Sequence, residues 1–396
     1  MTTTLAGVEI DQVLTEEMLA RFDERAAGYD RDNRFFDEDW AELRDSGYLN
    51  VAIPETFGGP GLRLAEVMKL QRRLAYAAPA TAVAVNMHFY WTGMAADLHR
   101  AGDDRCDWIL ERAAAGDVFA AGHGEAGNDI PLFYSSAEAR RVDGGWEFTG
   151  HKLFGSLSPV WTFLGIHAMD RSDPDHPLVV HAFMPRDTQG YRIEETWDTL
   201  GMRATQSQDT ILEGAFVPDR FVPVVSPPGL AGADLFHLGI FAWALTGFAT
   251  VYTAIARRAY DLTIEAMPKK SSVAMDRSMA YHPEVQHYVA EMRLALEAID
   301  PVLDTVTRDW SEGVAHPDWA IKLVAAKHFA VTNAFKVVDR ALDLSGGAGI
   351  FTRHRLERMF RDCRLGRIHP AGEMLTHELI GKLALGIDFD DPQRWG

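Results

Sequence analysis

The sequence predicts an α+β protein, mostly helical, with a β domain set between two helical ones. Three observations predict it. Apolar residues recur at helical spacing from about residue 10 to 120. From about 118 to 225 the texture turns to short alternating segments, separated by Asp-Gly-Gly and Asp-Pro-Asp turns. After the Pro-rich stretch 222–228 the helical period returns and runs to about 385. Such an order points to segregated α and β parts, not to a doubly wound sheet. The expected divisions are a helical domain over 1–118, a β domain over 119–228 and a four-helix bundle over 229–396.

Each element has a local reason. Thr15-Glu-Glu caps a helix that puts Leu19, Phe22 and Ala26 on one face. A second helix, from Phe36 through Trp40 to Leu43, ends in Asp-Ser-Gly-Tyr and the turn-rich segment Pro54–Gly61. Further helices are expected near 63–77 and 89–115. Strands are expected at Ala137–Val142, Trp146–Phe148, Leu178–Phe183 and Thr210–Phe216. The C-terminal part reads as helices over 234–267, 283–311, 317–344, 353–366 and 373–385.

Composition excludes several classes. With 57 Asp+Glu against 39 Lys+Arg, the chain is a poor partner for nucleic acid or an anionic membrane surface. Met1-Thr-Thr-Thr shows no secretory leader, and the two cysteines, Cys106 and Cys363, suit a reducing cytoplasm. His282, His316, His328, His354 and His377 form no zinc-ligand spacing, so no metal is expected. Walker, Gly-x-Ser-x-Gly and Gly-x-Gly-x-x-Gly motifs are absent.

The segments with chemical content come in a fixed order. The loop Gly122-His-Gly-Glu-Ala-Gly-Asn-Asp129 holds three glycines, so its backbone can approach a planar ligand. Ser156 lies near the end of the probable strand Gly145–Ser156, where its hydroxyl could bond a ring edge or cap a turn. Phe154 reads equally as domain core or as an aromatic wall. Gly346, Gly347 and Gly349 suit a phosphate on backbone amides or a plain helix C-cap, and the two are compatible.

Taken together with Pro54–Leu62, Leu200-Gly-Met-Arg-Ala-Thr205, Val217-Pro218 and Arg361-Asp-Cys-Arg-Leu-Gly-Arg-Ile-His-Pro370, these segments resemble the acyl-CoA dehydrogenase superfamily over nearly the whole chain. The resemblance implies a flavin between the β domain and the bundle, FAD as the first expectation, and packing into homodimers or homotetramers. It places Phe154 where a Trp lies against the isoalloxazine and Ser156 where a Thr reaches N5. It also assigns Gly122, His123, Gly127 and Asn128 to the flavin loop, and Gly346 and Gly347 to a turn near a neighbouring subunit's cofactor.

The departures matter as much. Typical members carry a Glu eight residues after the signature Asp, the base that takes the α-proton of an acyl thioester. Here that position is Pro370, and the nearest basic group is the imidazole of His369. A minority of members carry the base on an earlier helix, where this chain has His237. The expected Arg-x-x-Phe-Gly element before Gln286 is not recognisable, although Arg277, Lys269 or Lys270 could substitute. Asp343 stands where a Gln is expected. These changes leave room for FMN, or for reduced flavin supplied by a partner.

Three functions follow from the resemblance. The first is α,β-dehydrogenation of an acyl-CoA or carrier-bound acyl group with His369 as base, served by an electron-transfer flavoprotein. The second is a two-component monooxygenase fed by a flavin reductase, in which His369, Ser156 and His123 serve oxygen transfer to a small molecule. The third is a base-less subunit that works only beside a homologue.

Overall fold

The computed structural model describes residues 4–5, 8–230 and 233–390, so Met1–Thr3 lie outside it, as do Ala231, Gly232 and the last six residues. The N-terminal helices are α1 (Glu16–Asp32), α2 (Asp37–Asp45), α3 (Leu64–Ala77), α4 (Pro79–Arg100) and α5 (Asp107–Ala114). Thr15 caps α1 by accepting from the Met18 N–H at 3.1 Å. The single helix expected over 89–115 is two. Pro79 starts α4 ten residues earlier, as proline suits a first helical position, and Gly102 at φ +82° ends it.

The middle is one sheet. Its strands are β1 (Phe119–Gly122), β2 (Glu138–Val142), β3 (Gly145–Gly155), β4 (Phe163–Asp170), β5 (Leu178–Pro185), β6 (Tyr191–Glu194), β7 (Gln208–Pro218) and β8 (Val224–Ser226). The order is β8-β5-β4-β2-β3-β7-β6, with β1 pairing β4 in parallel. β1, β4, β6 and β8 are not among the strands expected from the sequence; β6 and β8 are only four and three residues long, and β1 and β4 lack the signal of a half-buried strand. Every residue of both is buried, so neither shows the alternation of a half-buried strand.

Helices then return as α6 (Leu235–Ala266), α7 (Pro283–Ser311), α8 (Trp319–Ser345), α9 (Arg355–Arg364) and α10 (Glu373–Leu385). α6 is the central one. It packs on α8, α4 and α3. The apolar helix Leu235–Lys269 has the length to cross a membrane, but 89% of its most apolar window is buried inside the protein. That burial makes it the core helix joining the N-terminal and C-terminal parts.

Candidate functional site

The seam between the sheet and the last helices is built by the pair Arg361-Asp362. Arg361 donates to the Asp30 carboxylate (2.6 and 3.0 Å), to Glu357 and to the Leu200 carbonyl (2.8 Å). Asp362, buried, accepts from the Met202 N–H at 2.6 Å. Gly201 is required between them: a Cβ there would lie 2.6 Å from the Arg361 backbone. Burial raises the Asp362 carboxyl to about 6, against the pull of Arg358 and the Met202 N–H. The pair fastens the segment 200–205 to α9, and the chain reaches His369 seven residues after Asp362.

On the sheet side, Met202 starts a hydroxyl chain. The Thr205 Oγ1 donates to the Met202 carbonyl at 2.8 Å. Ser207 Oγ lies 2.7 Å from Thr205 Oγ1, and Ser156 Oγ 2.7 Å from Ser207 Oγ. Each hydroxyl has one proton. Either oxygen of each hydroxyl pair can be the donor; with Thr205's proton on the carbonyl, Ser207 can donate to Thr205 and Ser156 to Ser207. In that arrangement the chain ends at Ser156 with lone pairs to offer.

Beside it stands Phe154, a large apolar side chain left 57% exposed at φ +61°. Left-handed backbone is uncommon for a bulky residue and marks a site held by its surroundings. The ring meets the edge of Trp197 at 6.2 Å. The loop from Gly122 crosses closely: Leu153 N–H donates to the Gly124 carbonyl at 2.8 Å, and a Cβ on Gly124 would strike the Leu153 carbonyl and the Phe154 ring at 2.8 Å.

On the bundle side, His369 follows α9 in a tight turn. Its half-buried ring lies 4.2 Å from Phe248 and 5.7 Å from Tyr252, both on α6. Burial first, and the Lys327 ammonium second, hold the imidazole below its usual value, at about 3. Lys327, buried on α8, donates to the carbonyls of His369 (2.6 Å) and Ala371 (3.0 Å). The Tyr252 hydroxyl is buried without a hydrogen-bond partner.

The remaining candidates lie as follows. Gly122 packs at the end of β1 against Leu164. His123 is buried, its Nδ1 bonded to the Tyr90 hydroxyl and its Nε2 unpartnered. Gly127 turns the loop at φ +74°. The Asn128 amide is spent on its own loop, donating to Glu125 (2.9 Å) and the Tyr134 carbonyl (2.7 Å). Gly346 and Gly347, exposed, follow the end of α8, with Lys270 donating to the Leu344 (2.7 Å) and Ser345 (3.1 Å) carbonyls. His237 bonds Asp234 (3.0 Å) and faces His181 (3.4 Å). It precedes Phe248 by eleven positions on α6, so the two predicted histidines are about 16 Å apart along that helix. They do not share a site.

Thr205, Ser207, Tyr252 and Lys327 were not anticipated. Thr205 ends the segment Leu200–Thr205 that carries the resemblance, whereas Ser207 and Tyr252 carry no signal. Lys327 does carry one: it occupies the core-facing position of Leu323, Ala330, Val331 and Ala334 on α8.

Two family models match the chain, acyl-CoA dehydrogenase N-terminal domain over residues 9–116 and acyl-CoA dehydrogenase C-terminal domain over 246–373. The chain belongs to the acyl-CoA dehydrogenase superfamily; it is a flavin-dependent oxidoreductase of that fold. It is 27% identical over 367 residues to YdbM of Bacillus subtilis, named after acyl-CoA dehydrogenases, covering 91% of this chain and 93% of that one. It is 27% identical over 405 residues to the amino sugar nitrososynthase RubN8 of Streptomyces rubradiris, with coverage of 98% and 93%. The structure of KijD3 with FMN and a dTDP-amino-keto sugar superposes at a TM-score of 0.86, with 25% identity and coverage of 99% and 97%.

Proposed function

We propose that the chain is a two-component flavin-dependent monooxygenase, taking reduced flavin from a separate reductase and passing one oxygen atom to a small molecule. Hydroxylation and oxidation at nitrogen or sulfur are the reactions in view, and an amino group is the first substrate class to test, by likeness to RubN8 and KijD3. The observation that carries this reading is the hydroxyl chain that runs from the Met202 carbonyl through Thr205 and Ser207 to Ser156. With the Thr205 proton on that carbonyl, its last member, Ser156, offers an acceptor, which suits the N–H of a reduced ring.

The residues fit a flavin ring. Phe154 gives a flat apolar wall, Ser156 an acceptor at its edge, and the glycine loop from Gly122 lets backbone come close. Beside the turn at Gly346 and Gly347, the Lys270 ammonium donates to the Leu344 and Ser345 carbonyls and Arg340 pairs with Asp343 at 3.2 Å. Likeness to KijD3, whose structure holds FMN, favours FMN, or a diffusing reduced flavin, over tightly held FAD. Bound reduced flavin supplies the electrons that activate oxygen. His369, neutral at pH 7 and seated against Phe248 and Tyr252, contributes a hydrogen bond and excludes water. A base works best with a pKa near the working pH, and an imidazole held at about 3 is far from that. A cytoplasmic homo-oligomer is part of the same reading.

Dehydrogenation is the second reading, favoured by the likeness to YdbM. One preparation separates the two. The expected protein is colourless as purified, consumes oxygen only with a flavin reductase, and incorporates ¹⁸O from ¹⁸O₂ into product. Tightly held oxidised flavin, bleached anaerobically by an acyl-CoA, would overturn that. Activity only beside a co-expressed homologue would support a base-less subunit instead.

A further inference from the structure

Lys327 is an unusual residue to bury. It is 2% exposed, and burial lowers its ammonium to about 7 with no carboxylate acting against that. An interior ammonium without a counter-ion is costly, and a methionine would fill similar space without that cost. Packing alone therefore does not account for it. Its two acceptors are the carbonyls on either side of Pro370, at 2.6 and 3.0 Å. Pro370 has no N–H with which to tie the turn itself. Thr376 adds only one long bond, 3.4 Å to the Ala371 carbonyl.

The geometry assigns Lys327 as the positioning residue of the seam: by holding the carbonyls of His369 and Ala371 together it sets where the His369 imidazole points. It touches neither substrate nor cofactor and acts through the turn. A neutral side chain of the same length leaves the helix intact and frees both carbonyls. The assignment rests on the reading that the turn 369–371 faces the reacting centre, and the experiment keeps the two separable.

K327M is compared with the parent chain and with H369A. The expected K327M is folded, by circular dichroism and thermal melting, and binds reduced FMN within about threefold of the parent. Its turnover per folded molecule falls on the order of 10- to 100-fold, as misplacement by about an ångström does. In ¹H–¹⁵N spectra of the protein without flavin, the His369 ring signals, identified by their loss in H369A, shift or split. The double variant K327M/H369A is no worse than the more impaired single one, because both changes act on one group. Unmoved ring signals with turnover within twofold of the parent would overturn the assignment, as would fully additive losses. Shifted ring signals alongside an H369A of normal turnover would uphold Lys327's part and sink the role of His369. If K327M does not fold, K327Q, whose amide reaches one carbonyl, is judged by the same criteria.

Discussion

Each side of the seam buries a lysine, and their surroundings differ. On the sheet side Lys152, 1% exposed, is paired with the Glu125 carboxylate and also donates to the His167 carbonyl. Glu125 in turn accepts from the Ser136 N–H (2.8 Å) and the Ala137 N–H (3.3 Å), so loop, strand and ion pair form one unit. Burial would raise the Glu125 carboxyl, but the Lys152 ammonium outweighs it and holds it low. On the bundle side Lys327 meets only carbonyls. The lysine with a carboxylate fastens the fold, whereas the lysine with carbonyls orients a turn.

The largest effect that tests this contrast is on stability. Lys152→Met leaves the Glu125 carboxylate buried and unpaired, and should cost about 3–5 kcal/mol in denaturant unfolding. A loss below about 1 kcal/mol would show that the pair is relaxed by water and is not the fastening of the loop.

The next largest appears in the pH dependence. Lys327 has a folded value near 7, below its ordinary value of 10.5. Between these the unfolded chain binds more protons, so stability rises with pH, by up to about 1.4 kcal/mol per unit for this one group. The titratable groups nearest it are His328, beside it in sequence, and His369, at the turn it holds, both lowered from their usual value. Lys152, lowered to about 8, adds a smaller slope over its own window. Urea unfolding from pH 7 to 10 should therefore lose one share of the slope in Lys327→Met. An identical slope in both proteins would mean that Lys327 is solvated in solution.

Ser156→Ala is expected to act on the cofactor and not on the fold. It removes the terminal acceptor, weakening reduced FMN by about 3- to 10-fold, as one hydrogen bond is worth, while leaving oxidised FMN within about twofold. Fluorescence titration in both redox states measures this. Equal weakening of the two forms would refute the direction of the hydroxyl chain.

The sequence showed these parts unevenly. The five C-terminal helices emerged close to their observed bounds because each is long and periodic; 283–311 matches α7 throughout. β1 and β4 lack alternation because every residue is buried; β5, almost as buried, is legible through its run Leu178-Val-Val-His-Ala-Phe183 after an Asp-Pro-Asp turn. His369 stood out through its neighbours, Arg361 and Asp362, whose contacts with Asp30 and Met202 join residues far apart in the chain. Thr205 lies in the Leu200–Thr205 segment, but neither its hydroxyl contact nor Ser207 is legible that way. A hydroxyl chain depends on side chains meeting across two strands, and nothing in the spacing of Ser156 and Ser207 announces a 2.7 Å contact.

Phe154 gives the smallest expected change in stability and the sharpest contrast with Ser156. Its left-handed backbone costs a bulky residue about 1–2 kcal/mol, which glycine relieves. Against that stand the lost edge contact with Trp197, about 0.5–1.5 kcal/mol, and the greater freedom of glycine when unfolded, about 0.5–1 kcal/mol. The terms nearly cancel, so Phe154→Gly should melt close to the parent. Its ring is exposed, with Trp197 and the Gly124 backbone beside it, so the change should instead weaken reduced and oxidised FMN alike, where Ser156→Ala separates them. A variant that keeps both affinities would remove Phe154 from the wall. One that loses several kcal/mol of stability would show that the exposed ring belongs to the core of the assembled protein.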